Sequence, residues 1–320
     1  MKIAILWSLL HISMFSFSND TIVIVTNYDS TNIKEQFQAI VSPEGDTIRN
    51  GYYQLFYKNG NIDQKGHYAN GKLTGLWILY HQNGVLDREI SFDNDQQNGL
   101  ARVFHENGKV KSEGAYLNGL EEGEFKFYDT AGNLIEITNF IKGQYEGKTT
   151  AYYEDGKKRM EANYVSGKLH GLKSTYFQTT GLIQKEELFE NNVKHGLTVI
   201  YFDSTGTVKT KLPYVDNELI GESKSYYSDG SLKTEVYYEN NQRSGIFKRF
   251  YTSGQIAEMG NYENGKKSGR WIVYSENGVK LAASNFINGE IDGELLIYNR
   301  SGELTDCLKY TYGKLVGYCD

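Results

Sequence analysis

The chain has 320 residues, a net charge of −6, 14% aromatic residues and 34 glycines, but two prolines and two cysteines. No basic stripe interrupts the acidic balance, which argues against nucleic acid and against anionic lipid headgroups as partners. So few prolines suit a chain in which nearly every backbone N–H is needed for a sheet.

The chain opens with Met1-Lys2, an apolar run over residues 3–15 and then Ser16-Phe17-Ser18. One positive charge, an apolar run of about a dozen residues and small residues at the −3 and −1 positions predict a secretory signal peptide over residues 1–18, cleaved near Ser18, with a buried N-terminal strand or helix as the alternative. The run is short for a bilayer span, so an integral membrane protein is not expected. The expected location is outside the cytoplasm, in the periplasm, on the cell surface or beyond it. Residues 19–50 form a segment of their own. Residues 21–25 and 36–41 read as strands, with Ser42-Pro43-Glu44-Gly45 as a turn. This predicts an N-terminal β cap that covers a raw sheet edge.

From residue 51 to 320 the chain restates one pattern. A lead glycine recurs at Gly51, Gly75, Gly99, Gly123, Gly147, Gly171, Gly196, Gly221, Gly245, Gly269, Gly293 and Gly317, in steps of 24 residues except for 25 on either side of Gly196. That makes eleven repeats and a truncated twelfth, and such periodicity sets the architecture before any other feature. Five residues after each lead glycine stands an aromatic: Phe56, Tyr80, Phe104, Tyr128, Tyr152, Tyr176, Tyr201, Tyr226, Phe250, Tyr274 and Tyr298. A turn with a second glycine follows, as in Asn83-Gly84 and Asp155-Gly156, dipeptides that supply the positive φ of a tight hairpin. A mostly aliphatic position comes next (Ile62, Leu86, Val110), then a second fixed aromatic: Tyr68, Phe92, Tyr116, Phe140, Tyr164, Phe189, Tyr214, Tyr238, Tyr262, Phe286 and Tyr310. Each repeat closes on a polar turn such as Asn70-Gly71. The two long repeats place their extra residue in the first turn, before Gly181 and Gly206.

The strands are short and rich in Tyr, Phe, Val and Ile, and no 3.6-residue apolar period is sustained, so the expected fold is all-β. It is an elongated single-layer antiparallel sheet of consecutive β-hairpin repeats. About 22 strands at about 4.8 Å spacing would extend on the order of 100 Å. The invariant aromatic columns are expected to be structural, stacking repeat on repeat.

The run Gly75-Leu-Trp77-Ile-Leu-Tyr80, restated as Gly269-Arg-Trp271-Ile-Val-Tyr274, resembles the MORN repeat, and the 24-residue spacing with a trailing Asn-Gly-Lys turn resembles its bacterial variant. The resemblance covers residues 51–320. Ala101, Thr149, Lys173, Thr198 and Ser223 depart from it at the tryptophan column. It implies stacked antiparallel hairpins in a twisted sheet. Bacterial proteins of this type are often labelled antitoxin components, and eukaryotic ones are linked to membrane or scaffold roles.

The column two residues after the lead glycine varies, being aromatic or apolar towards the ends and polar in the middle. Trp77, Phe125, Phe247 and Trp271 are therefore the candidate binding surface. Cys307 and Cys319 lie equidistant from the turn at Gly313, which puts them opposite on paired strands, within reach of a disulfide. Two free buried thiols are the alternative, and zinc would need more ligands than this end offers.

Gly143-Gln-Tyr-Glu-Gly147-Lys148-Thr149 imitates a phosphate loop but is one residue short, and a strand is expected where that motif needs a helix. Glu122, Glu146, His170 and His195 each precede a lead glycine. Equivalent positions two strands apart are separated by roughly 10 Å, too far to share a metal. His67, His81 and His105 have no matched nucleophile. No catalytic or metal site and no cofactor is expected. The expected function is a non-catalytic scaffold that binds another protein in the cell envelope or outside the cell. An antitoxin-type neutraliser of a toxin protein and a cell-wall or glycan binder are the alternatives.

Overall fold

The structure, a computed structural model, describes residues 15–16 and 21–319. The leader expected at residues 1–18 and its cleavage point lie outside the described residues, apart from Phe15–Ser16, a two-residue strand paired with Ile22 and Val23. The described residues contain strands and turns and no helix. They form two compact units, Met1–Gly156 and Lys157–Asp320, and in each the strands pair antiparallel with their neighbours in sequence.

In the first unit, Thr21–Asn27 pairs with Ile33–Val41, which pairs with Thr47–Phe56. The segment expected as a cap is thus continuous with the repeats, and Phe37 lies 6.2 Å from the ring of Tyr53. Hairpin then follows hairpin: Ile62–Ala69, Lys72–Tyr80, Leu86–Asp93, Gln96–Phe104, Val110–Leu117, Leu120–Tyr128 and Leu134–Ile141. The second unit repeats this from Lys158–Val165 to Lys314–Tyr318.

Two kinds of turn alternate. In the first, Gly84 donates to the His81 carbonyl and His81 to that of Val85, with Gly84 at φ 84°. The register shifts between Leu79 and Tyr80. This is a type I turn closed by a bulge at the glycine, so only the glycine, and not Asn83 before it, takes positive φ. In the second, Asn70 and Gly71 sit at φ 49° and 80°, the paired left-handed residues of a type I′ hairpin. Where Asn or Asp replaces that glycine, its side chain adds a bond: Asn241, at φ 67°, accepts from the Leu219 N–H at 2.8 Å, and Asn192 from Leu169 at 2.7 Å. The second turns are also tied repeat to repeat, as Gly265 N–H donates to the Arg243 carbonyl and Gly289 to Lys267. The extra residues of the long repeats fall in the first turn, where Gly181 N–H reaches the Phe177 carbonyl.

Candidate interaction surface

Strand geometry sends alternate side chains to opposite faces. The register therefore sorts each repeat column onto a front face, which carries Trp77, and a back face, which carries Tyr80. On the front face the second aromatic column flanks the column of Trp77. The Trp77 ring meets Tyr68 edge-on at 5.1 Å and Phe92 at 6.5 Å. Phe125 sits between Tyr116 and Phe140 at 5.6 and 5.1 Å, and Trp271 between Tyr262 and Phe286 at 5.1 and 6.1 Å. The indole N–H groups donate to backbone carbonyls, Trp77 to His67 and Trp271 to Asn261.

These residues were expected on an accessible surface, and the structure places them elsewhere. Trp77, Phe125 and Trp271 are 3, 6 and 2% exposed, and Phe247 is half-buried in the same cluster as Trp271 and Tyr262. The same position is buried at Tyr53, Thr149, Thr198 and Ser223 and half-buried at Ala101, Lys173 and Leu295. The physical reason lies one strand back. The residue eleven positions earlier is glycine at Gly66, Gly114 and Gly260, and each of the three rings lies directly over that backbone. A Cβ on Gly66 would come within 2.3 Å of Trp77, and one on Gly260 within 2.1 Å of Trp271. Where the ring is missing, a side chain fills the space, as when Thr138 meets Thr149 hydroxyl to hydroxyl at 2.5 Å. This glycine–ring coupling was visible in the sequence as a spacing of eleven between Gly66 and Trp77, Gly114 and Phe125, and Gly260 and Trp271.

The aromatic column five residues after the lead glycine lies on the back face and is half-buried from Phe56 through Tyr298, Phe104, Tyr152, Phe250 and Tyr274 included. Its members pair with the aliphatic position after the turn, as Tyr80 with Leu86 and Tyr226 with Leu232. Their hydroxyls reach the preceding hairpin: Tyr128 donates to Glu113 at 2.8 Å, Tyr176 to Glu161 at 2.6 Å and Tyr201 to Glu186 at 2.5 Å. Burial first, and donation to a carboxylate second, push all three phenols up to about 12. The same row carries charges that alternate across strands. Arg102 reaches Glu89 at 3.7 Å and Glu113 at 3.4 Å, and Glu235 lies 3.4 Å from Lys224. Beside it, Leu76, Leu100, Leu172, Leu197 and Ile246 are exposed.

The front face of the second unit holds two carboxylates, each between two bases. Glu187, whose side chain is 4% exposed, lies 2.9 Å from Lys185 and 2.6 Å from Lys194. Burial alone would push its carboxyl up, but donation from Lys194 and Lys185 outweighs it and the pKa is lowered. Glu258 lies 3.2 Å from Arg249 and 2.9 Å from Lys267, and is lowered in the same way against the opposing effect of burial.

A further ladder runs along the first turns and was not read from the sequence. The residue six after the lead glycine reaches the next repeat. The Tyr57 hydroxyl donates to the Tyr80 carbonyl, Tyr227 to Phe250 and Tyr251 to Tyr274, each at 2.8–2.9 Å, while a ring nitrogen of His105 lies 3.0 Å from the Tyr128 carbonyl. His81 lies 3.6 Å from Asp87, and His67 meets Tyr52 edge-on. Glu122 accepts from the Lys142 N–H, and His195 lies 3.7 Å from Asp216, so both brace turns. Gly143 is a turn glycine, and the strand Gly147–Tyr152 follows where a phosphate loop needs a helix. Cys307 and Cys319 form a disulfide with their Cα atoms 5.3 Å apart, and Cys319 N–H donates to the Cys307 carbonyl. Glu294 is beside them, and among the described residues these three make up the one metal-capable set. With the sulfurs bonded to each other, neither is a thiolate ligand.

Antiparallel hairpins at a 24-residue period, with stacked aromatic columns, define a β-hairpin repeat protein. The model of the MORN repeat variant family matches seven of the repeats, at residues 49–70, 73–94, 97–118, 121–142, 145–166, 219–240 and 243–264, and the chain belongs to that family. Repeats of this family are typically non-enzymatic and generally mediate protein interactions. No curated protein matches the chain. Among solved structures it is similar to TcdB2-TccC3 without its hypervariable C-terminal region, at 12% identity over 92% of this chain and 19% of that one, with a TM-score of 0.18. It is also similar to the Photorhabdus luminescens Tc holotoxin pore, at 10% identity over 92% of this chain and 22% of that one, with a TM-score of 0.18. A porin-like protein from Bacteroides uniformis matches at 11% identity over 88% and 91% of the two chains, with a TM-score of 0.17. This chain thus spans about a fifth of the length of the first two of these chains. TM-scores this low carry no weight for fold or function. No helix among the described residues is long and apolar enough to cross a membrane.

Proposed function

We propose that this protein is an exported, non-catalytic scaffold that binds another protein. The observation that supports the reading best is the front face of the second unit, where half-buried rings alternate with partly exposed bases. Aromatic residues are enriched where proteins meet. Export is supported by the apolar run over residues 3–15 followed by small residues at 16 and 18, and by the disulfide between Cys307 and Cys319. An antitoxin role would need its toxin in the same compartment. A glycan role would need open aromatic cages, whereas Trp77 and Trp271 are closed over by neighbouring rings.

The test is the intact mass of the protein from its native cells, unreduced and reduced, followed by in-cell cross-linking. The expected chain begins near Asn19, gains two hydrogens on reduction and cross-links to a protein of the envelope or exterior. A chain beginning at Met1 with free thiols sinks export, and a chain that cross-links to nothing while folded sinks the scaffold reading.

A further inference from the structure

The front face of residues 157–320 differs in sign from the chain as a whole. Strand register places Lys173, Lys185, Lys194, Arg243, Arg249 and Lys267 on it, against Glu187, Glu258 and Asp306. Six positive charges and three negative ones leave +3, on a chain whose net charge is −6. Glu187 and Glu258 are each held by two bases, so each trio keeps one surplus positive charge.

The bases are within reach of a partner. Side chains of Lys185, Lys194, Arg249 and Lys267 are between 32 and 37% exposed, and an ammonium bound to one carboxylate still has N–H donors to give. They also lie over rings: Lys194 is 5.1 Å from the centre of Tyr214, Arg243 5.2 Å from Tyr262 and Lys267 3.9 Å from Trp271. The equivalent face of the first unit has the rings without the surplus, since Arg49 and Arg88 stand there with Glu35, Glu121 and Glu136.

We infer that the front face of residues 157–320 docks an acidic segment of a protein partner. The partner's carboxylates meet Lys173, Lys194, Arg243 and Lys267, and its apolar side chains lie on the rings between them. Such charge complementarity sets specificity and encounter rate, and clustered bases are a recurrent reader of acidic motifs. The inference rests on the protein-binding reading above and narrows the partner's chemistry.

The test uses the full chain and fluorescein-labelled peptides: an Asp/Glu-rich peptide carrying two Phe, its Asn/Gln counterpart and its Lys counterpart. The acidic peptide is expected to bind at least about tenfold more tightly than the neutral one and to lose about tenfold between about 50 and 500 mM salt. The double variant Lys173→Gln/Arg243→Gln is expected to weaken it by about three- to tenfold, with a cooperative unfolding transition retained although the Arg243 contacts with Tyr238 and Tyr262 are lost. Lys173→Glu/Arg243→Glu should take up the lysine peptide instead, which separates lost charge from lost folding. Equal binding of neutral and acidic peptides overturns the inference, as does a folded double variant that binds unchanged. Vesicles of phosphatidylserine in phosphatidylcholine captured in place of the acidic peptide also overturn it. A native partner whose cross-linking is unmoved by the double variant removes the acidic-partner inference and leaves protein binding standing. No cross-linked partner at all removes both.

Discussion

Gly260 and Trp271 give the sharpest test of how these repeats hold together. Trp271 is 2% exposed, ringed by Phe247, Tyr262 and Phe286, and bonded through its indole N–H to the Asn261 carbonyl. Trp271→Ala should cost about 3–5 kcal/mol. In Gly260→Ala the new methyl would lie 2.1 Å from one ring carbon and 2.2 Å from another, far inside van der Waals contact. The flanking rings leave the indole nowhere to retreat, so overpacking should cost about 1–3 kcal/mol. Once the ring is gone the methyl has room, and alanine suits a strand slightly better than glycine. The double variant should therefore be about as stable as Trp271→Ala alone, a coupling of about 1–3 kcal/mol. Urea unfolding of the four proteins measures it, and hydrogen exchange should confine the loss to strands near Ile256–Glu263, Lys266–Tyr274 and Lys280–Ile287. Additivity within about 0.5 kcal/mol, or protection lost evenly from residue 21 to 319, would refute the reasoning.

Tyr176→Ala should likewise open its own hairpins and leave residues 280–318 protected, as hydrogen exchange will show. Acid should weaken the second unit through Glu187 and Glu258. Both carboxyls are lowered below their ordinary 4.5, so the stability they add is complete above that pH and is lost as pH falls through the depressed values. Thermal unfolding between pH 6 and 3 should show this, with a flatter profile in Glu187→Gln. Asn241→Ala loses both tolerance of φ 67° and the bond from Leu219, for about 1–2 kcal/mol. Asn241→Gly should recover part of that, and denaturant midpoints separate the two. Cys319→Ala should cost about 2–3 kcal/mol, as expected for freeing a short closed loop, with exchange faster in Leu304–Thr311. Unchanged exchange there would count against a stapling role.

Period, turn positions and all-β character were legible because glycine and aromatic spacing answer directly to strand length and turn geometry. The disulfide is reached by another route than equidistance from Gly313, since the last turn centres between Tyr312 and Gly313 and the extra residue Val316 shifts the register to bring Cys319 opposite Cys307. The accessible surface was not legible. The column of Trp77 varies, and in a sequence variation reads as exposure. In fact Lys173, Thr198 and Trp271 occupy one place in the repeat, and each is matched to the residue eleven before it, Ala162, Glu187 or Gly260. Variation there reflects compensated packing. The front and back faces were also out of reach, because the bulge after each first turn changes strand phase: Leu86 and Arg88, two residues apart, pair with Tyr80 on the back face and Leu79 on the front. A count of alternating residues cannot see that shift.

The span from Gly260 to Trp271 also fixes where this array divides. A module cut from lead glycine to lead glycine would carry Trp271 away from the residue beneath it and set it over a neighbour's alanine or leucine. A cut in the first turn, such as residues 275–278, keeps ring and glycine in one piece. The heritable brick of this protein is therefore offset from its visible repeat by about a quarter of a period. Duplications that respect that offset can lengthen the array without a clash, and grafts between such proteins should be joined there.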